Sequence, residues 1–176
     1  MLYVMSDIHG EYKRYLSMLE QIDFSQDDTL FVLGDVVDRG PEPIRVLQDM
    51  ASRDNVYLLK GNHEAMASFV LRRLNVEITE DNAESHVDME SLQAIMEWQQ
   101  KSQYTYEELA CMRPDFERQY YKDSSIYIVS GHTPTLAVTG KSEIYHSHNN
   151  ILIDCGAAFG GRLACLCLDT MTEFYV

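Results

Sequence analysis

Residues 29–43 read TLFVLGDVVDRGPEP, and the order of their properties decides the fold. Thr29 to Leu33 is an apolar run with β-branched and aromatic members, which predicts a strand. Gly34 to Pro41 is polar and glycine-punctuated, which predicts a loop. Pro43 to Met50 then predicts a helix with proline in its first turn. The same order stands on either side. Leu2 to Ser6 precedes the loop Asp7-Ile8-His9-Gly10, and Tyr12, Tyr15, Leu16, Leu19 and Ile22 follow at helical spacing. Val56 to Leu59 precedes KGNH, and a helix is predicted from Glu64 to Leu74. Three such units argue for a mostly parallel α/β sheet, in which sites form at the carboxyl ends of strands.

The chain changes character after Leu74. Residues 74–100 are acidic and carry no Lys or Arg, yet Leu92, Ile95, Met96 and Gln99 keep a helical spacing. The region 74–122 is therefore read as a solvated helical lid or flank of one domain spanning 1–176, with a disordered acidic linker as the alternative. Thr105 and Glu108 have the spacing of a helix capping box. From Ile126 the pattern turns to strands, IYIVS, SEIYH, NILID, GRLACLCL and TEFYV, separated by turn residues. No internal repeat appears.

Length and composition narrow the function. A chain of 176 residues accommodates one core, and 45 % apolar with 24 % charged residues is an ordinary globular composition. Lys and Arg number 14 against 28 Asp and Glu, a formal charge of -14, which is the wrong sign for holding a nucleic-acid backbone. No apolar run is long enough to span a membrane and no leader pattern opens the chain, so a cytoplasmic location without membrane or nucleic-acid partners is expected. Cys111, Cys155, Cys165 and Cys167 show no CxxC spacing and are expected to pack as reduced thiols.

Each polar cluster lies just after a predicted strand: Asp7-Ile8-His9-Gly10, Gly34 to Gly40, Gly61-Asn62-His63-Glu64 and Gly131-His132-Thr133-Pro134. Asp, Asn and His form a mixed oxygen and nitrogen donor set without thiolate, suited to manganese, iron or zinc. Singly, each cluster also reads as an ordinary turn: Asp38 with Arg39 as a loop ion pair, Asn62 as a helix cap. Gly10, Gly34, Gly40, Gly61 and Gly131 read as backbone enablers of tight turns.

DIHG, GDVVDRG, GNHE and GHTP, followed by NNILIDCGAAFGGRLACL, resemble the calcineurin-like metallophosphoesterases, in particular the bacterial Ser/Thr phosphoprotein phosphatase branch. The resemblance covers nearly the whole chain. It implies an α/β fold, a four-layer αββα sandwich of two mixed β-sheets flanked by helices, with a dinuclear metal centre at the sheet ends. Carried over residue by residue, it implies Asp7 and His9 on one divalent metal, Asp35 bridging, and Asn62 and His132 on the second. His63 would be the general acid and Asp38 its orienting carboxylate, with Arg39 and Arg113 on the substrate phosphate. The implied reaction is attack of a metal-activated hydroxide on phosphorus, in a phosphorylated protein or a small phosphoester. A dinucleoside polyphosphate hydrolase is the runner-up within that chemistry, and a weakly active metal- or phosphoprotein-binding module is the alternative of another class.

One family feature is missing. Relatives carry an HAG-like step between GNHE and GHTP, and here the only histidine in that interval is His86, with no glycine after it. The fold is thus expected to lack one internal segment, and the second metal, manganese being preferred at both sites, is expected to bind weakly. His86, His146 and His148 read as surface or turn histidines, any of which is a candidate replacement ligand.

Overall fold

The computed structural model describes residues 1–74, 113 and 115–176. The elements, in chain order, are β1 (Leu2–Met5), α1 (Tyr12–Gln21), β2 (Thr29–Val32), α2 (Pro43–Ala51), β3 (Val56–Leu58), α3 (Asn62–Leu74), β4 (Ile128–Ser130), α4 (Thr135–Thr139), β5 (Tyr145–Ser147), β6 (Asn150–Leu152), a 3-10 turn (Ala157–Phe159), β7 (Ala164–Cys167) and β8 (Thr172–Tyr175). The acidic helix, the Thr105 and Glu108 capping box, His86 and Cys111 lie outside the described residues. Of the expected helical flank, 115–122 are turns and irregular chain. The side chains of Asn149 and Asn150 hold this stretch, with Nδ2 of Asn150 donating to the carbonyls of Phe116 (3.1 Å) and Arg118 (2.9 Å) and Nδ2 of Asn149 donating to that of Ile126 (3.0 Å).

Two mixed sheets carry the fold. The first runs β3-β2-β1-β7-β8 and the second β4-β6-β5. The parallel arrangement that the repeating units predict is confined to β3, β2 and β1, where each connection passes through a helix. β7 and β8 join antiparallel because the chain reaches β8 through a turn, too short for a crossover. The second sheet pairs β4 with β6 in parallel and β5 with β6 antiparallel.

Strand alternation divides the core in two. Tyr3, Met5, Leu30, Val32, Cys165 and Cys167 face Tyr15, Met18, Leu19, Val46 and Met50 of α1 and α2. Val4, Ala164 and Leu166 point to the opposite face of the same sheet and meet Ile151, Ile153, Ile144 and Cys155 beneath the second sheet. Fully burying a side chain such as Leu30 or Met5 contributes about 1.5–3 kcal/mol. Cys155, Cys165 and Cys167 are free and buried, packed as small apolar groups.

The register delivers the polar loops to one rim. Met5, Val32 and Leu58 are partners across β1, β2 and β3, so the loops that follow leave the sheet at the same level. The first two then run side by side, with the N–H groups of Asp7, His9 and Gly10 donating to the carbonyls of Gly34 (3.2 Å), Asp35 (2.9 Å) and Val36 (2.7 Å). Ser130 and Leu152 are partners at the end of β4 and β6, which brings His132 and Asp154 out together.

Candidate active site and metal centre

The rim is built from strained backbone. Asp7, His9, Asp35, Asp38, Arg39 and His132 all have positive φ, between 46° and 67°. Non-glycine residues in this region cost free energy and cluster at functional sites, where the surroundings hold them. Four rim glycines, Gly34, Gly40, Gly61 and Gly131, are required by proximity. A Cβ at Gly131 would overlap Ser6 Oγ and Asp7 Oδ2, and one at Gly61 would overlap Asp35 Oδ1 and the Asp35 nitrogen. The tight-turn reading of Gly61 and Gly131 is thus replaced by close packing between loops, while Gly10 and Gly34 do carry the positive φ expected of turn glycines.

Asp7 and Asp35 are both buried at the centre. Asp7 accepts the Ser6 hydroxyl, and its Oδ2 also accepts the His132 N–H at 2.9 Å. Burial, followed by the nearby charge of Asp154, pushes the Asp7 carboxyl well above its ordinary range. Asp35 Oδ1 accepts the His63 N–H at 3.1 Å, and its Oδ2 lies 3.7 Å from His132 Nδ1. Asn62 stands between them, its side-chain amide 3.0 Å from His132 Nδ1. Turned with nitrogen inward, the amide donates to His132 Nδ1 and to both Asp35 oxygens, at 2.9 and 3.2 Å.

Two imidazoles and one guanidinium complete the rim. His9 Nδ1 donates to the Val37 carbonyl at 2.9 Å, which leaves the Nε2 lone pair facing the site. Burial lowers the His9 pKa, opposed by that carbonyl, so the neutral form is favoured. His63 Nδ1 donates to Asp38 Oδ2 at 2.8 Å, and the His9 and His63 rings meet edge to face at 4.7 Å. The Arg39 guanidinium spans them, Nη1 donating to His9 Nε2 (3.1 Å) and Nη2 to His63 Nε2 (3.2 Å), with its carbon 4.7 Å over the Phe159 ring.

A metal-capable set among the described residues takes one atom each from His9, Asp35 and His63, all within 4.8 Å of one another. This includes His63, which the resemblance makes an acid and not a ligand. A carboxylate behind an imidazole serves both roles, so geometry alone leaves His63 open between them. The donor chemistry fits divalent cations. Asp7, Asp35 and Asp154 are each 4 % exposed and close enough to repel one another. Buried carboxylates without compensating charge are costly, and cations would supply that charge.

Asp7, His9, Asp35, Asp38, Arg39, Asn62, His63 and His132 therefore converge. Arg113 does not join them: it is exposed and makes no hydrogen bond or ion pair with another described residue. His146 lies on β5 paired with Glu173 at 2.7 Å, and His148 sits in the following turn. Two residues escaped the reading of the sequence. The Glu64 carboxylate accepts the N–H groups of Asp35 (2.8 Å), Val36 (2.7 Å), Val37 (3.0 Å) and Gly61 (2.9 Å), clamping two loops together. Asp154 ends an apolar strand and precedes a Cys-Gly step, much as Asp7 and Asp35 follow theirs, and that pattern was the available signal.

This fold and rim define a metallophosphoesterase: residues 1–155 match the calcineurin-like phosphoesterase family, and the chain belongs to it. Among particular relatives, it is 29 % identical over 101 residues to the symmetrical bis(5'-nucleosyl)-tetraphosphatase of Wigglesworthia glossinidia brevipalpis, covering 56 % of this chain and 37 % of that one. It is 45 % identical over 67 residues to serine/threonine-protein phosphatase 2 of Escherichia coli K12, covering 38 % and 30 %. The aligned stretches thus span about a third of these relatives. In fold it resembles a solved structure proposed to be a diadenosine tetraphosphatase, with a TM-score of 0.69 at 18 % identity over 99 % of this chain and 92 % of that one. A cold-active protein tyrosine phosphatase follows at 0.58 and 16 % identity, over 99 % and 78 %.

Proposed function

We propose that the chain hydrolyses phosphomonoesters with the help of divalent cations, and that its substrate is a phosphorylated serine or threonine of a protein. The observation that carries this reading is the Asp38–His63–Arg39 constellation beside two buried carboxylates. Asp7, His9 and Asp35 would hold one cation and Asp35, Asn62 and His132 a second, manganese being suited, with iron or zinc as alternatives. Such cations, when bound, neutralise the phosphoryl group and acidify the attacking water.

The chain's own residues supply the rest. Arg39 presents a planar fork that matches two phosphate oxygens. As placed, both its arms lie against imidazole nitrogens, Nη1 at His9 Nε2 and Nη2 at His63 Nε2. Arrival of a phosphate would draw the fork onto its oxygens and free His63 Nε2 to face the leaving group. His63 would then give a proton to the leaving oxygen, while Asp38 holds the ring through Nδ1.

A second reading, hydrolysis of a dinucleoside polyphosphate, is favoured by the relatives named as symmetrical tetraphosphatases. Turnover of a phosphopeptide and of a dinucleoside tetraphosphate, measured side by side with added manganese, separates the two. Turnover of neither, with metal bound, would leave a binding module in place of an enzyme. Asp35→Asn should abolish both activities and the uptake of metal, since one neutral amide cannot bridge two cations. Native turnover by that variant would overturn the reading.

A further inference from the structure

We infer that Phe159 is a positioning residue: its ring holds the Arg39 guanidinium at the rim without engaging the N–H groups that a phosphate needs. The inference rests on the reading of Arg39 as the phosphate fork. β7 runs antiparallel to β1 with Met5 opposite Cys165, so the turn leading into β7 emerges at the rim where β1 ends. That turn is held in place. The N–H groups of Phe159 and Gly161 both donate to the Gly156 carbonyl at 2.9 Å, Arg14 reaches from α1 to the Gly161 carbonyl, and Ala157 is buried. Phe159 itself is 58 % exposed and belongs to neither apolar core. Its ring face instead meets the Arg39 guanidinium, whose carbon lies 4.7 Å from the ring centre.

Arg39 has need of such a partner. It is exposed on a loop, and a long side chain there must otherwise be ordered at the moment of binding. Arg14, Arg45, Arg53 and Arg162 are each held by a carboxylate, whereas among the described residues no carboxylate lies within ion-pair distance of Arg39. A carboxylate would fasten the fork, but it would also occupy the N–H groups and offset the charge that the phosphate is to meet. An aromatic face attracts the cation through its quadrupole and takes up no in-plane donor. The guanidinium thus stays charged, with its arms against the neutral acceptors His9 Nε2 and His63 Nε2, from which a phosphate can draw them.

Phe159→Leu keeps an apolar side chain and removes the aromatic face. In manganese-loaded protein, the dissociation constant for inorganic phosphate, measured by calorimetry, should rise about two- to fivefold, the range for a cation on an exposed ring. KM for a phosphoserine peptide should rise in step, the loss appearing in KM and not in kcat. Phe159→Tyr should restore both values. The decisive arm is Phe159→Leu in an Arg39→Ala background, where it should weaken phosphate binding no further, because the ring acts only through the guanidinium. An undiminished loss in that background would overturn the inference and make Phe159 a direct contact of the ligand. Parent-like phosphate affinity in the single variant would overturn it as well. A chain that binds phosphate through this pair yet hydrolyses no phosphopeptide would sink the proposed activity and leave the role of Phe159 standing.

Discussion

Glu64 Oε2 accepts the backbone N–H of Asp35 at 2.8 Å, so the carboxylate at the centre of the site is positioned by another carboxylate one strand away. The same Glu64 side chain gathers three more N–H groups, from Val36, Val37 and Gly61. An anion is well matched to four converging donors, since charge-assisted hydrogen bonds are the stronger kind. Glu64→Gln would turn an NH2 group toward some of these donors. The variant should lose roughly 2–4 kcal/mol of stability in urea unfolding, with weaker metal binding, because Asp35 is no longer held. A loss below about 0.5 kcal/mol, the range of ordinary surface substitutions, would show that the clamp contributes little.

His63→Gln distinguishes an acid from a ligand. If His63 delivers a proton, manganese stoichiometry stays at the parent value and turnover falls about 100- to 10,000-fold on an alkyl phosphate. On an aryl phosphate with a good leaving group the deficit should be small. Equal deficits accompanied by lost metal would place His63 among the ligands, as its proximity to His9 and Asp35 allows.

Asp38→Asn leaves the reach to His63 Nδ1 but removes the charge that stabilises the imidazolium. Turnover of an alkyl phosphate should drop by about tenfold or more, since the ring loses the carboxylate that orients it and favours its charged form, while an aryl phosphate should be little affected. Unchanged turnover of the alkyl phosphate would detach Asp38 from the acid.

Gly131→Ala tests the close approach of the two sheets' rims. The added methyl would meet Ser6 Oγ and Asp7 Oδ2, buried atoms with no room to retreat. Overpacking of this kind costs about 1–3 kcal/mol, and here it also displaces Asp7. Thermal melting should show the loss, and metal affinity should fall with it; a native melting temperature would mean that the loops yield freely.

Cys155 and Cys165 should resist alkylation in the native state at pH 8. Burial pushes the Cys155 thiol up to about 11, and Cys165 higher still. The reactive thiolate is therefore scarce as well as inaccessible. Mass analysis after iodoacetamide should find both modified only once the chain is unfolded.

The sequence by itself determined where the chemistry lies along the chain. Asp7, Asp35, Asn62 and His132 could be found because each follows an apolar run that can only be a strand, and loops at parallel strand ends must share a rim. Cys165 and Cys167, expected to pack as reduced thiols, are both buried toward α1 and α2. Tertiary structure alone decided what those residues touch. Glu64 is three residues from Gly61, but its other three partners are 27 to 29 positions away, a relation that no local spacing encodes. The Arg39 fork lies across His9 and His63 for the same reason, as does the placing of Asp154 beside His132. Strand register is set by the burial of two opposite faces at once, so neither the antiparallel entry of β7 nor the meeting of 132 with 154 follows from either strand's sequence. Close approach, as at Gly131, depends on which backbone arrives opposite, and only the folded chain supplies that neighbour.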